Sequence, residues 1–245
     1  MEKVSIIIPF YNCEFVDQAI ESALNQTYPH IEIIVVNDGS TKFTEKIEPY
    51  KEKIKRIEKA NGGTATALNA GIRNSTGDYI AWLSADDLFY PNKTADQLEF
   101  MKNHNASISY GGFDLINGEG KVTTKSMLGA IFPDRLSFLK GMKTQCPING
   151  CTILVKKEVF DRCGLFDETL PYAHDYDMWF RMVQHYDFYF YNKPLVQYRI
   201  HDEMGSVKHK KELLLEASQI RNKYRTMLNQ LIVQEMKKKR HKRSR

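Results

Sequence analysis

The chain has 245 residues, 42% hydrophobic and 27% charged, the balance of a soluble globular protein able to bury one substantial core. No apolar stretch approaches the roughly 18 residues of a membrane span, and residues 1–4 enter a strand with no signal-peptide layout. Cys13, Cys146, Cys151 and Cys163 lack CxxC spacing, so they read as reduced thiols of a cytoplasmic protein without a structural metal.

Strand and helix signals alternate through the first hundred residues. Residues 4–9 form an apolar strand, and Phe15, Ala19, Ala23 and Leu24 mark one face of a helix that Asn12 is expected to cap. Tyr28-Pro29 stops that helix, and residues 31–36 read as a buried parallel strand. Asn37-Asp38-Gly39-Ser40 turns the chain toward a further helix, followed by a short strand at 54–57. Thr64 opens a helix carrying Leu68 and Ile72, and residues 79–83 form the fourth strand. Pro91 suits the first turn of the next helix.

The second part is less regular. A hairpin is expected over 113–117 and 121–125, with strands at 152–156 and 187–191 and a helix at 175–185. Residues 208–236 read as a long helix whose apolar face can dock on the body or on a membrane. The formal net charge of +5 is concentrated in residues 237–245, which carry seven Lys and Arg, leaving a body at −2. That segment is expected to be a solvated tail with an anionic membrane surface as possible partner; without interleaved aromatics it predicts no specific nucleic-acid recognition.

The βαβαβαβ order predicts an α/β fold, a mostly parallel sheet flanked by helices. Ligands bind such sheets outside the carboxyl ends of the strands. Three polar islands fall there: Pro9-Phe10-Tyr11-Asn12, Asn37-Asp38-Gly39-Ser40 and Ser84-Ala85-Asp86-Asp87. Hard carboxylate oxygens suit Mg²⁺ or Mn²⁺, and such a cation suits a diphosphate. No GxGxxG or GxxxxGK[ST] pattern is present, so a nucleotide would be held through metal and base contacts rather than a phosphate loop.

These islands, with Ser22-Ala23-Leu24-Asn25-Gln26, Asn61-Gly62-Gly63-Thr64, Gly164-Leu165-Phe166-Asp167-Glu168 and His174-Asp175-Tyr176-Asp177-Met178-Trp179, make residues 3–205 resemble a family 2 glycosyltransferase. The resemblance implies a GT-A type, Rossmann-like fold with a smaller acceptor-side subregion and a C-terminal helix. It divides the chain into a glycosyltransferase domain at 1–205 (nucleotide-sugar half 1–110, acceptor half 111–205) and a helix and tail at 206–245. It further implies an inverting, metal-dependent enzyme that moves a sugar from a nucleotide-diphosphate donor, typically a UDP-sugar, to a saccharide or lipid-linked acceptor.

By the same resemblance Asp175 is the catalytic base. Pro9, Tyr11, Asp38, Asn69, Ser84, Ala85 and Asp86 bind the nucleotide-sugar, and Asn149, Gly150, Cys151, His174 and Trp179 lie on the acceptor side. Asp86, Asp87 and His201 are the metal candidates for Mg²⁺ or Mn²⁺. Trp179 also reads as core from its helical spacing, and Cys151 as a small packed residue. Two departures stand out: Ser84 replaces the first acid of an Asp-x-Asp motif, and His174 stands where the family favours Glu. They keep a non-catalytic nucleotide-sugar-binding protein as an alternative. A sugar nucleotidylyltransferase fits less well, because Pro9-Phe10-Tyr11-Asn12 is not a Gly- and Arg/Lys-rich loop.

Overall fold

The computed structural model describes residues 1–127 and 132–243. Strand β1 (Val4–Phe10) is buried along most of its length because both of its faces meet core. Val4, Ile6, Ile8 and Phe10 enter one apolar layer and Ile7 the other. A parallel strand covered on both faces therefore reads as a continuous apolar run. β2 (Ile31–Asp38) and β4 (Tyr79–Trp82) flank β1 in parallel, and β3 (Lys55–Lys59) pairs with β2. β3 ends the sheet, which accounts for its charged Lys55, Arg56, Glu58 and Lys59.

Helices α1 (Val16–Leu24) and α3 (Lys93–Asn103) cover one face, and α2 (Thr64–Asn74) the other. Gly71 of α2 lies so close to β1 that a Cβ there would collide with Ile7. Asn12 does not cap α1, whose N-cap is Phe15. It adopts a positive φ of 48°, and its Oδ1 accepts from the N–H groups of Thr41 and Lys42 at 2.8 and 2.9 Å, tying together the loops after β1 and β2. The helix expected after Ser40 is reduced to 3₁₀ turns at Thr44–Lys46 and Glu48–Tyr50, the second with Pro49 in its first turn. Phe43 precedes them in the left-handed region, which breaks any regular helix at that point.

Beyond β4 the sheet continues through β8 (Leu154–Lys156), β6 (Ile108–Ile116) and β9 (Tyr189–Arg199) to β5 (Leu88–Phe89), while β7 (Val122–Met127) forms the expected hairpin on β6. β1, β2, β3, β4, β6 and β9 run one way and β5, β7 and β8 the other, so the sheet is mostly parallel. β9 outruns the strand expected at 187–191. It continues past Pro194 because register shifts around Gly112 of β6 accommodate the missing N–H. This extension brings the end of β9 to the same rim as β4.

Helices α4 (Arg135–Gly141), α5 (Glu158–Cys163), α6 (His174–Met182) and α8 (Lys210–Arg243) join the layer that contains α2, with α7 (Gly205–Lys208) leading into α8. α8 docks through Ile220, Leu228 and Ile232. The tail, expected to be disordered as well as solvated, is exposed over 237–241 but helical as far as Arg243, with Lys239 paired to Asp134, the N-cap of α4, and Lys238 paired to Glu235 at 2.6 Å. Residues 244 and 245 lie outside the described residues. Among the described residues no helix is long and apolar enough to cross a membrane.

Candidate active site

The ends of β1, β2 and β4 and the segment after β9 surround a cleft of about 770 Å³. Pro9, Tyr11, Asp38, Ser84, Ala85, Asp86 and His201 all line it, although they come from four separate stretches of sequence. Tyr11 stands exposed at the mouth.

Burial alternates residue by residue from Ala81 to Tyr90, which leaves Ser84 and Asp86 accessible and turns Asp87 inward. His201 Nε2 lies 3.1 Å from Asp86 Oδ2, so two of the expected ligands face each other in the cleft. Asp87 does not join them. It is 1% exposed, and its Oδ1 accepts from the Arg199 N–H at 2.9 Å. Burial and the neighbouring Asp86 charge push its carboxyl well above the usual carboxylate range. Asp87 therefore lies beneath the cleft lining, apart from the Asp86–His201 pair.

Among the described residues no group of three or more His, Cys, Asp and Glu could hold a metal ion. Mg²⁺ and Mn²⁺ at phosphate sites commonly take one or two protein ligands and fill the remaining positions with phosphate and water. A carboxylate facing an imidazole fits that donor set.

Arg199, which sequence reasoning passed over, organises this end of the cleft. It is 0% exposed. Its guanidinium donates to the carbonyls of Asp86 (2.8 Å), Asn117 (3.1 Å) and Gly118 (3.0 Å) and to Gln18 Oε1 (2.7 Å). It also stacks 4.2 Å over the Phe15 ring, which meets His201 edge-on at 5.3 Å. The only signal in sequence was an arginine closing an aromatic strand two residues before a candidate ligand.

At the other end, Asp38 is 3% exposed and surrounded by donors. The Lys59 ammonium pairs with it, and the N–H groups of Gly62 and Gly63 donate to it at 3.0 and 2.7 Å. Both carboxylate oxygens are thus engaged by the protein, and a nucleobase N–H reaching Asp38 must share one of them. Ser84 Oγ contacts Cys151 Sγ at 3.1 Å.

Several other expected residues lie outside the cleft lining. Asn69 is buried and bridges to the loop before α6: its amide nitrogen donates to Phe166 O at 2.9 Å and its oxygen accepts from Phe166 N at 2.9 Å. It joins the segment of α2 to the loop before α6. Trp179 is 1% exposed and belongs to the core. Asn149 Oδ1 accepts from Cys151 N at 2.9 Å, shaping the turn Gly150–Thr152. Gly150 and Cys151 are buried, and a Cβ on Gly150 would collide with the Trp82 ring. His174 packs between Trp82 and Phe166, with centroid distances of 5.7 and 5.8 Å. Burial lowers its pKa to about 4, so it is neutral near pH 7 and neither softens negative charge nor presents itself to an acceptor.

Asp175 follows His174 in the first turn of α6 and is not among the residues that line the cleft. Asp175 Oδ1 accepts from the Tyr176 N–H at 2.6 Å, and Cys146 Sγ lies 4.0 Å from Oδ2. Burial raises its pKa to about 6, against the lowering effect of the Tyr176 N–H.

A family model described as glycosyl transferase family 2 matches residues 5–164. The chain belongs to glycosyltransferase family 2. An uncharacterized glycosyltransferase of Rickettsia typhi is 44% identical over 209 residues, and one of Rickettsia bellii is 42% identical over 221 residues. These alignments cover 81% and 84% of this chain but only 64% and 31% of the relatives, so the chain spans a part of each. TuaG of Bacillus subtilis, named for teichuronic acid biosynthesis, is 30% identical, with 80% of this chain and 79% of TuaG aligned.

Solved structures share the architecture. Residues 1–349 of Staphylococcus aureus TarS in complex with UDP-GlcNAc superpose with a TM-score of 0.65 at 20% identity, covering 82% of this chain and 60% of that one. The mannosyltransferase PcManGT of Pyrobaculum calidifontis, in complex with GDP-Man and Mn²⁺, gives 0.67 at 16% identity, covering 88% and 63%. The likeness bears out the expected GT-A fold. The family 2 match ends at Gly164, so Asp175, Arg199 and His201 lie beyond it.

Proposed function

We propose that this protein is an inverting, metal-dependent glycosyltransferase that transfers a sugar from a nucleotide-diphosphate donor, a UDP-sugar, to a hydroxyl of a saccharide or lipid-linked acceptor in cell-surface polysaccharide or glycoconjugate synthesis. The observation that carries this reading is the Asp86–His201 pair at 3.1 Å inside a cleft ringed by strand ends, in a chain of this family. Asp86 and His201 would hold a Mg²⁺ or Mn²⁺ ion, which would supply Lewis-acid stabilisation of the departing diphosphate. Tyr11 and Pro9 wall the nucleoside, and Asp38 fixes the loop at Gly62 and Gly63 against it.

Asp175 is the base. A carboxylate with a pKa raised to about 6 accepts a proton more readily than an exposed aspartate and is still largely ionised near pH 7. It takes the proton from the acceptor hydroxyl as that oxygen bonds to the anomeric carbon, and the nucleoside diphosphate leaves from the opposite face. TarS in complex with UDP-GlcNAc and PcManGT in complex with GDP-Man support a nucleotide-sugar donor. Titration calorimetry with UDP and GDP, with and without Mn²⁺, tests the reading. Metal-dependent binding is expected, with UDP the tighter ligand. No binding of either nucleotide overturns it.

The reading extends to a peripheral place on the cytoplasmic face of a membrane. The sequence concentrates seven Lys and Arg in residues 237–245, and each basic residue near an anionic bilayer adds about 1 kcal/mol of attraction. Deleting 237–245 is expected to abolish salt-sensitive sedimentation with anionic liposomes. Equal sedimentation of both forms removes the membrane from the proposal.

A further inference from the structure

Helix α6 begins without a side-chain cap, because its N-cap residue is Ala173. The first N–H groups of a helix have no partner within it, and a cap normally supplies one. Here the acceptor comes from α8. Glu216 Oε1 accepts from the N–H groups of Ala173 at 2.6 Å and Tyr172 at 3.1 Å. Glu216 is 9% exposed, a depth at which a carboxylate needs partners, and these two backbone donors supply them.

The same helix grips α6 a second time. Lys223 Nζ and Tyr224 Oη each donate to the buried Asp177 at 2.8 Å, and the Tyr224 ring stacks on Phe180 with centroids 4.9 Å apart. The second grip holds a side chain of the first turn of α6, that of Asp177. The first holds the backbone that leads into that turn, at Tyr172 and Ala173, and the Asp175 carboxylate leans on the Tyr176 N–H of the same turn. Its direction therefore follows the backbone that Glu216 holds.

We propose that Glu216 is a positioning residue for Asp175: from α8 it supplies the cap that α6 lacks and so fixes the orientation of the base. The inference rests on the reading of Asp175 as the base. Asp175 is faced by Cys146 from the segment after α4 and by Glu216 from α8, with Tyr176 beside it on α6 and Arg221 of α8 reaching Tyr176. Burial dominates the raised pKa of Asp175, and the Glu216 charge adds to it.

The test uses Glu216→Ala, Glu216→Gln and Lys223→Met in the full chain. The Asp175 carboxyl is titrated by NMR in protein carrying ¹³C-labelled aspartate, its signal assigned by its loss in Asp175→Asn. Hydrolysis of UDP-GlcNAc, with water as acceptor, is followed in parallel. Glu216→Ala is expected to move the Asp175 midpoint down from about 6, because it removes a neighbouring negative charge and admits water. It should lower kcat by about tenfold or more with donor KM nearly unchanged. Glu216→Gln keeps an acceptor oxygen and should recover most of kcat. Lys223→Met should lower Tm while leaving midpoint and kcat in place. A wild-type midpoint in Glu216→Ala overturns the proposal whatever its Tm, as does Lys223→Met reproducing the Glu216→Ala changes. Turnover that survives in Asp175→Asn overturns the reading of the base beneath it.

Discussion

The two acidic centres of this molecule are built in opposite ways. At the strand-end rim, Asp86 is accessible, faces His201 and is held through its own backbone carbonyl by the buried Arg199. At the start of α6, Asp175 is half-buried beside Cys146, and the backbone ahead of it is fixed by a residue from α8. One carboxylate opens onto the cleft, and burial raises the pKa of the other to about 6. On the proposed reading the first serves electrostatic stabilisation and the second proton transfer, a division set by surroundings rather than by residue type.

The contrast breaks most sharply at Asp175. Asp175→Asn keeps the shape but cannot take a proton, so turnover is expected to fall by about 10² or more with donor affinity unchanged. Near-normal turnover in that variant would place the base elsewhere. Asp86→Ala should act on the opposite quantity. Calorimetry with UDP and Mn²⁺ is expected to show metal-dependent affinity reduced by about 10-fold to 100-fold in a folded protein, because the side chain lies outside the core. Unchanged affinity would remove Asp86 from the metal site.

A pH profile sharpens the same distinction. Because Asp175 works only when ionised and its pKa is raised to about 6, kcat should fall as pH drops through that value, approaching about tenfold per pH unit below it. A limb near the ordinary aspartate range would contradict the buried environment. The smallest effect belongs to Asp87→Asn. Its carboxyl is already biased toward the protonated form, and asparagine retains an acceptor for the Arg199 N–H. A stability change within about 1 kcal/mol by denaturant unfolding is expected, with Mn²⁺ affinity preserved. Loss of Mn²⁺ affinity would restore Asp87 to the metal site.

Sequence alone served the rim better than the acceptor side. Each apolar run at 4–9, 31–36 and 79–83 ends in a polar island, and parallel strands put those ends together, so the sequence pattern alone predicts Pro9, Asp38 and Asp86 in one cleft, where the structure has them. The helix carrying Asp175 was equally visible from its apolar spacing. Asn69 and His174 are buried away from the cleft lining: a polar residue near a motif looks functional until its burial is known, whereas the helical spacing of Trp179 already read as core.

What the sequence determined by itself was periodic and local: the alternation of strands and helices, the family resemblance and the clustering of acids at strand ends. What only the tertiary structure decided was which of two adjacent acids faces the cleft, that Arg199 underpins Asp86, and that Glu216 caps the helix of Asp175 from 43 residues beyond Ala173. Hydrophobic period is written along the chain and can be read there. Burial, and the partner that satisfies a buried charge, are properties of segments brought together by folding, and no local pattern encodes them.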